Sequence, residues 1–425
     1  MPKKHHSLFE DIANFRALHE AARRAIGGKR NKPGAAAFMA NLEHHLLRLE
    51  HSLNAGHWRS GGYTVIEVRD PKPRRVSAAP FADRVVHHAV CAVVAPIFER
   101  GFVAETYANR RGFGTHRAIA RYEHYRDRFE HVLRCDIYRY FPSVDHAILK
   151  VDLRRRIACG RTLNLLDAII DGSNEQEPVH LHFPGDDLLT PLQRRRGLPI
   201  GNLTSQMFGN IYLDGMDHFI KERLRAPGYV RYVDDFAIFH DDPDQLESWR
   251  LQIEAYLQGR RMILHPAKTC ILRTDEAATF LGMVLLPGGQ RRLPQENVRR
   301  FRNRLRGLRD RWRAGRVEQT DIEQRVQSWI AHARHANTWR LRHAIFRGGW
   351  FDPLREPDCL SVGRVLRGGS WNNKPQNARA SNRNRNEPAN RNNNNGLRLA
   401  SMPSSAGVTA FKDAASEQEG VHGQS

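Results

Sequence analysis

The chain has 425 residues, with 67 lysines and arginines against 46 aspartates and glutamates, a formal net charge of +21. About three folded units fit this length, and so basic a balance favours a polyanionic partner, nucleic acid first among the candidates. Without an evident run of about 18 apolar residues, or an apolar segment behind the charged start, we expect neither a membrane span nor secretion.

Cysteine usage indicates the compartment. The five cysteines are scattered, odd in number and without C-x-x-C spacing. This pattern argues against a disulfide framework and against a zinc finger. We therefore expect a cytoplasmic protein.

The first half of the chain alternates helical and extended patterns. Apolar positions recurring every three to four residues predict a helical segment over residues 1–60, and a β-rich alternating run predicts a strand after it. The predicted elements in order are helices at Leu8–Ile26 and Ala36–Leu53, a strand at Tyr63–Val68, a helix at Phe81–Phe98 and a strand at His131–Ile137.

The second half continues this alternation and then becomes helical. Tyr229–Val233 and Phe236–Phe239 read as the arms of a hairpin around an acidic dipeptide. Arginine-rich helices are predicted over Glu296–Trp312 and Gln319–Ala336. Alternating strands and helices with a separate helical module indicate an α+β protein.

The last part of the chain, 358–425, differs in composition. Between Asn372 and Asn395, 11 of 24 residues are asparagine and large apolar side chains are absent. Such a segment cannot bury enough apolar surface to fold alone, so we expect a disordered tail.

Carboxylates are the sharpest chemical signal. Tyr232-Val233-Asp234-Asp235 places two adjacent acids in a tight turn between apolar strands, a costly arrangement that a divalent cation would relieve. Asp136 ends a short apolar strand and is a third candidate. If the two strands are neighbours in one sheet, Asp136 and Asp234 can hold two Mg²⁺ ions for phosphoryl transfer. The alternative is structural, because Asp is also common in turns and helix caps.

The order of these motifs resembles that of reverse transcriptases, over roughly 75–342. A strand-end Asp136, an aromatic residue five positions later, a Gly/Pro-rich turn and an aromatic-x-Asp-Asp hairpin about 100 residues further on carry the resemblance. It implies a right-hand polymerase fold, with fingers and a palm with an antiparallel sheet over 61–293 and a helical thumb over 294–347. Phe280-Leu281-Gly282 is similar to the primer-grip hairpin.

The resemblance also implies roles for single residues. Asp136, Asp234 and Asp235 match the catalytic aspartates, which with the carbonyl of Ile137 would bind two Mg²⁺ ions. Phe141 matches the aromatic gate that disfavours a 2′-hydroxyl.

Three cations match nucleotide-contact positions. Arg75 and Arg84 match finger residues that hold the triphosphate, and Lys268 matches a lysine that protonates or neutralises pyrophosphate. A structural role is the alternative for each of these residues, because Phe141 could be a core aromatic and the three cations could be solvated surface residues.

The segment Gly197–Gln206 indicates which group of reverse transcriptases the chain resembles. Two glycines allow backbone to approach a nucleotide base pair, and Asn202 could cap the following helix. Most reverse transcriptases carry Gln-Gly and Ser-Pro where this chain has Ile200-Gly201 and Ser205-Gln206. That pattern resembles diversity-generating retroelement reverse transcriptases, so Gly201 and Gln206 are candidate substrate-binding residues.

The tail resembles part of a different protein. Arg367-Gly368-Gly369-Ser370-Trp371 and Gly396-Leu397-Arg398-Leu399-Ala400 are similar to the variable end of a C-type-lectin-like or formylglycine-generating-enzyme-like target protein. Asparagine codons are adenine-rich, as a translated template repeat would be. Our hypothesis is that the gene overlaps its own template repeat; the alternative is an ordinary prion-like tail.

The implied function is RNA-directed DNA synthesis from a template-repeat RNA, with adenine-directed errors that diversify a target gene. The implied partners are that RNA, the RNA/DNA duplex, dNTPs and a small basic accessory variability protein. The alternatives are a group II intron-like or retron-like reverse transcriptase, and a non-catalytic RNA-binding scaffold.

Overall fold

The computed structural model describes residues 3–68, 74–179 and 181–346, together with three short strands further on, at 364–367, 383–386 and 400–401. The chain divides into two compact units, Met1–Glu276 and Ala277–Ser425. The predicted boundary between palm and thumb at residue 294 is a functional assignment and stays a prediction.

The first unit begins with four helices where the sequence predicted two: α1 (Phe9–Ile12), α2 (Phe15–Ala25), α3 (Pro33–Ala40) and α4 (Leu42–Asn54). Asparagines interrupt both predicted helices. The Asn14 side chain accepts a hydrogen bond from the Ala17 N–H at 2.8 Å, which caps α2. Asn41 has non-helical dihedral angles and separates α3 from α4.

A two-stranded antiparallel ribbon, β1 (Thr64–Val68) and β2 (Arg74–Ala78), precedes helix α5 (Phe81–Glu99). By length and a mean hydropathy of 1.4, α5 could cross a membrane, which corrects the expectation that no such segment exists. However, 56% of its apolar window is buried inside the protein, as in the core helix of a globular unit. Val85, Val90 and Val94 are fully buried along it.

A four-stranded antiparallel sheet forms the centre of the first unit. Its order is β4 (Gly228–Tyr232), β5 (Asp235–His240), β3 (His131–Asp136) and β6 (Cys270–Arg273). The remaining helices of the unit are α6 (Thr115–Arg126), α7 (Tyr140–Ser143), α8 (His146–Arg154), α9 (Gly160–Asp171), α10 (Thr190–Gln193), α11 (Leu203–His218) and α12 (Pro243–Gly259). The predicted strands and the acidic hairpin are confirmed.

Over its described residues up to Phe346, the second unit forms a small sheet, three α-helices and a 3-10 turn at Pro287–Gly289. Its elements are β7 (Ala278–Phe280), β8 (Met283–Leu286), β9 (Gln290–Arg292), α13 (Gln295–Arg313), α14 (Gln319–Ala333) and α15 (Trp339–Phe346). Phe301 of α13 stacks on Trp329 of α14, with ring centroids 3.9 Å apart. Leu281 and Gly282 both have positive φ in the tight β7–β8 turn, so the predicted hairpin forms.

The described part of the tail consists of three short strands, β10 (Arg364–Arg367), β11 (Arg383–Asn386) and β12 (Ala400–Ser401). They form an antiparallel sheet in the order β11-β10-β12. The expectation of a disordered tail does not apply to these ten residues. For residues 358–363, 368–382, 387–399 and 402–425, that expectation lies outside the described residues.

Candidate active site

Strand register brings the candidate aspartates together. In the antiparallel pair of β3 and β5, Asp136 lies directly opposite Asp235. Residues directly opposite in such a pair project from the same face of the sheet, so the two carboxylates share one face. The predicted adjacency of the two strands is therefore confirmed.

Asp234 lies in the turn between β4 and β5. Because Tyr232 pairs with Asp235, only Val233 and Asp234 form the loop. The Asp234 carbonyl accepts a hydrogen bond from the Ile137 N–H at 3.3 Å, which ties the turn to the chain just after Asp136. Asp136, Ile137, Asp234 and Asp235 thus occupy one edge of the sheet.

The carboxylates interact unfavourably in this arrangement. Burial, together with the nearby charges of Asp136 and Asp235, raises the pKa of Asp234 to about 6. Burial also raises the pKa of Asp235, with Asp136 as the next contribution. Raised carboxylate pKa values indicate negative charge that the protein does not fully neutralise.

Lys268 supplies one cation to this cluster. Its Nζ lies 2.7 Å from Oδ2 of Asp136, and 48% of the lysine side chain is exposed against 13% of the aspartate. Three residues before Lys268, the His265 N–H donates a hydrogen bond to the Asp136 carbonyl at 2.7 Å. This bond holds the segment that carries Lys268 beside the end of β3. The alternative for Lys268 was a solvated surface lysine; the residue is half-exposed, in a turn before β6, and contacts a candidate catalytic acid.

The donor chemistry suits a hard divalent cation. Three carboxylates and the Ile137 carbonyl offer only oxygen ligands, which Mg²⁺ prefers. Within the described residues, no three His, Cys, Asp or Glu side chains are already arranged as a metal-binding group. Lys268 occupies one oxygen of Asp136, so a cation would have to displace or share this contact.

The Gly197–Gln206 motif connects the segment after β3 that carries Phe141, called the palm loop below, to the β1–β2 ribbon. The Leu198 N–H donates to the Phe141 carbonyl at 2.9 Å, and the Ser77 N–H of β2 donates to the Ile200 carbonyl at 2.8 Å. Gly201 has φ +121, and a Cβ there would lie 3.0 Å from the Ser77 carbonyl oxygen and from Val76 Cγ1. A glycine is therefore required at this close approach.

Two details of this motif correct or extend the sequence interpretation. Asn202 precedes α11 but makes no capping hydrogen bond with its side chain, which instead donates to the Tyr63 hydroxyl at 2.9 Å. Gln206 is exposed on the first turn of α11, where it lines a cavity of about 170 Å³ with Glu99 and Asn210. The predicted contact of Gln206 with substrate stays a prediction.

Phe141 lies in the short helix α7, directly after the aspartate strand. Its ring packs beside Tyr140, with centroids 5.2 Å apart, and is partly buried against the main core. A Cβ on Gly209 of α11 would lie 3.5 Å from Phe141 Cε1. The position therefore combines core packing with partial exposure, and both readings of Phe141 remain compatible with it.

The two finger arginines lie on different elements. Arg75 is exposed on β2, opposite Glu67 of β1. The Arg84 Nε donates to the Ala79 carbonyl at 2.9 Å, which fastens Arg84 to the chain following β2. In the part of the chain that the structure describes, no hydrogen bond or ion pair joins either arginine to the three aspartates.

Sequence reasoning missed a buried ion pair behind the hairpin. Arg231 of β4 and Asp217 of α11 both have side chains with 0% exposure and contact each other through two hydrogen bonds. The available signal was a lone arginine in the otherwise apolar run before Tyr232. Charged residues are seldom fully buried unless paired, so this arginine marked an internal contact.

Comparison with known proteins gives two family matches. The family described as reverse transcriptase (RNA-dependent DNA polymerase) matches residues 68–285. The family described as sulfatase-modifying factor enzyme 1-like domain matches residues 321–403, which include most of α14, all of α15 and part of the tail.

Similar individual proteins come from a bacterium and two yeasts. Protein YkfC of Escherichia coli (strain K12) is 26% identical over 345 residues, covering 68% of this chain and 88% of that protein. Telomerase from Candida albicans, solved with a fragment of telomeric RNA, has a TM-score of 0.38 at 11% identity and 56% coverage of this chain. Apo telomerase from Candida tropicalis has a TM-score of 0.41 at 12% identity and 55% coverage. This chain spans about half the length of the two telomerase chains, 47% and 48%.

The reverse transcriptase match includes the acidic hairpin, the strand that ends at Asp136 and the Gly197–Gln206 motif. It covers just over half of the 425 residues. The chain therefore belongs to the reverse transcriptase family, the RNA-dependent DNA polymerases.

Proposed function

We propose that this reverse transcriptase copies a template-repeat RNA into cDNA with substitutions at adenines, and that this cDNA diversifies a target gene. RNA-directed DNA polymerase activity follows from the family match. The proposal of adenine-directed errors rests on Ile200-Gly201 and Ser205-Gln206, where most members of the family have Gln-Gly and Ser-Pro.

The aspartates would carry the chemistry. Asp136, Asp234, Asp235 and the Ile137 carbonyl would hold two Mg²⁺ ions, which when bound would supply positive charge for activating the primer hydroxyl and neutralising the leaving pyrophosphate. Lys268, 2.7 Å from Asp136, is placed to donate a proton or to neutralise negative charge at the same edge of the sheet. Phe141 would exclude a 2′-hydroxyl by its bulk.

The tail supports the proposed template relationship. The match to a sulfatase-modifying factor-like domain overlaps the Asn-rich segment and both flanking blocks. A gene that runs into its own template repeat would encode such a fragment, and its role would lie in the RNA. The nucleotide sequence tests this: a second copy nearby should differ only at positions that are adenine in this gene. Differences at all four bases would contradict it.

The proposed partners are the template-repeat RNA, the RNA/DNA duplex, dNTPs and a basic accessory variability protein, in the cytoplasm. The excess of positive charge, +21, supports the nucleic-acid partners. The accessory protein and the cytoplasmic location rest on the resemblance and on the scattered cysteines.

The test is sequencing of cDNA made by the purified protein from an adenine-containing RNA, with Mg²⁺ and dNTPs, with and without the accessory protein. Asp234→Ala with Asp235→Ala should lower synthesis at least about a hundredfold, because metal-assisted charge stabilisation is worth several kcal/mol. Asp244→Asn is the matched control, since Asp244 is an exposed acid in the first turn of α12.

The outcomes separate the alternatives. Substitutions concentrated opposite template adenines, and absent from the aspartate variant, support the proposal. Faithful cDNA would support a group II intron-like or retron-like polymerase instead. No synthesis, even with the accessory protein, would favour an RNA-binding scaffold.

A further inference from the structure

The turn that carries Asp234 has an unfavourable backbone conformation. Val233 has φ +60, and Asp234 has negative φ, a pattern that two-residue hairpins usually build with glycine at the first position. Left-handed φ costs an ordinary residue about 1–2 kcal/mol, and a β-branched residue tolerates it poorly. Contacts from outside the turn must therefore hold it.

Arg231 makes such a contact. Its Nη1 donates to the Val233 carbonyl at 3.0 Å. That carbonyl belongs to the peptide bond that joins Val233 to Asp234. Arg231 therefore fixes the orientation of the peptide immediately before a candidate catalytic aspartate.

Asp217 holds Arg231 in place. Arg231 Nε donates to Asp217 Oδ1 at 2.6 Å, and Nη2 donates to Oδ2 at 2.5 Å. The Thr106 hydroxyl and the Tyr229 hydroxyl each donate to the same carboxylate at 2.7 Å. The carboxylate thus accepts four hydrogen bonds, which leaves the guanidinium little freedom.

The backbone of Arg231 is anchored as well. Its N–H donates to the Glu105 carbonyl, and its carbonyl accepts from the Tyr107 N–H, both at 2.9 Å. Asn210 Oδ1 of α11 lies 3.4 Å from Arg231 Nη1. The hairpin is consequently attached to α11 and to the segment 105–107 through one buried residue.

We propose that Arg231, held by Asp217, is a positioning residue that keeps Asp234 beside Asp136 in the orientation needed to bind a divalent cation. This inference rests on the proposed use of these aspartates. A buried ion pair is weak evidence for stability, because desolvation cancels much of its attraction. A planar guanidinium can bind a carboxylate with two N–H groups and a carbonyl with a third, whereas a lysine ammonium cannot reproduce this fork.

The first experiment compares Arg231→Lys with the wild-type chain. Lysine keeps the charge opposite Asp217 but loses the simultaneous contact with the Val233 carbonyl. We expect Mn²⁺, titrated calorimetrically into the protein, to bind at least about tenfold more weakly, with the same increase in the Mg²⁺ concentration for half-maximal cDNA synthesis. The KM for dNTP at saturating Mg²⁺ should change by less than about threefold.

Arg260→Lys is the matched control. Arg260 forms a comparable ion pair with Asp152, with side-chain exposures of 13% and 6%, and also donates to the Tyr212 carbonyl at 2.8 Å. Among the described residues, neither member of this pair makes a hydrogen bond to the hairpin turn. Arg260→Lys should therefore alter stability but leave Mn²⁺ affinity unchanged.

A second variant covers the case in which Arg231→Lys does not fold. Arg231→Met with Asp217→Asn removes both charges and keeps one acceptor oxygen for Thr106 or Tyr229, while the new amide NH₂ can donate to the other hydroxyl. It should fold and show the same loss of Mn²⁺ affinity. A folded Arg231 variant with wild-type Mn²⁺ affinity and Mg²⁺ dependence overturns the inference, as does an equal effect of Arg260→Lys.

Failure of the proposed function gives a different result. If the wild-type chain makes no cDNA, but Arg231→Lys still weakens Mn²⁺ binding, the function fails and the positioning role stands. If the wild-type chain makes cDNA and Arg231→Lys leaves Mn²⁺ binding unchanged, the positioning role fails alone.

Discussion

At the sheet edge that carries Asp136, Asp234 and Asp235, the properties of each side chain depend on its neighbours. Asp136 and Asp235 face one another across two strands, and Asp234 follows a residue with left-handed φ. The pKa of Asp234 is raised to about 6 by burial and by the two other acids. The same carboxylate on an open surface would have neither property.

Phe141 allows a prediction about sugar selection. Phe141→Ala should increase incorporation of rNTPs relative to dNTPs by at least about tenfold, because removing a clash worth about 1.4 kcal/mol changes selectivity by that factor. Single-nucleotide incorporation kinetics with matched rNTP and dNTP measure the ratio. Tyr138→Ala is the control, since Tyr138 packs against His265. An unchanged ratio in a folded Phe141→Ala protein would leave Phe141 as a core aromatic.

Asp214 on α11 allows a prediction about how the stability of the protein depends on pH. Burial, together with the charge of Asp217, raises the pKa of Asp214 to about 6. A carboxyl whose folded-state pKa is raised favours folding at low pH, and this contribution is lost as pH rises from about 4 to 6. Asp214→Asn should therefore increase the free energy of unfolding, relative to wild type, by about 2 kcal/mol more at pH 8 than at pH 4.5.

Urea unfolding at the two pH values measures this difference. His218 Nε2 lies 3.5 Å from Asp214 Oδ1 and offers a compensating charge when protonated. A variant that is less stable than wild type at pH 8 would mean that this pairing outweighs the burial of Asp214.

At the scale of elements, backbone hydrogen bonds join the palm loop, the Gly197–Gln206 motif and β2. The carbonyl of Phe141 accepts from Leu198, and the carbonyl of Ile200 accepts from Ser77. These bonds place Gly201 against the ribbon that carries Arg75. The candidate gate and one candidate triphosphate contact are thus linked through the Gly197–Gln206 motif.

Gly201→Ala tests this link. The new Cβ would lie 3.0 Å from the Ser77 carbonyl oxygen on a residue with φ +121. We expect a loss of about 1–3 kcal/mol in the free energy of unfolding and a lower kcat/KM for dNTP. Gly62→Ala is the control, because a Cβ at Gly62 meets no atom within 4 Å and needs no positive φ. Equal effects of the two substitutions would contradict the requirement for glycine at 201.

At the scale of the whole molecule, charge is the dominant property. Helix α13 buries Phe301, Leu305 and Leu308 and leaves arginines on its outer face. An amphipathic helix of this kind can pack in its unit and still present a row of cations to a phosphate backbone. This pattern supports the predicted thumb role of α13.

Removing three of these arginines should weaken nucleic-acid binding. Arg299→Ala, Arg302→Ala and Arg313→Ala together should lower affinity for an RNA/DNA duplex and reduce the salt dependence, d log K/d log[salt], by about one for each phosphate that no longer has an arginine beside it. Fluorescence anisotropy over a range of salt concentrations measures both. The control removes equal charge from α2 and α4 as Arg16→Ala, Arg23→Ala and Arg48→Ala. Equal losses in both proteins would mean that net charge, and not α13, binds the duplex.

Local patterns in the sequence were sufficient to predict most helices and strands and to identify the candidate catalytic acids. The hairpin around Asp234, the strand that ends at Asp136 and the arginine-rich helices follow from side-chain periodicity and β-propensity, which act over a few residues. Each of the two predicted N-terminal helices is divided in two, because the cap that Asn14 gives α2 and the non-helical backbone of Asn41 depend on the geometry of single residues.

The tertiary structure alone decided which distant residues meet. The register that sets Asp136 opposite Asp235, the ion pair of Lys268 with Asp136, and the burial of Arg231 against Asp217 join positions up to 132 residues apart. Such contacts depend on sheet order and helix packing, which no local pattern encodes. The sequence by itself thus determined the family's acids and elements, while packing determined the raised pKa values of Asp234 and Asp235, their orientation and the strained turn that presents Asp234.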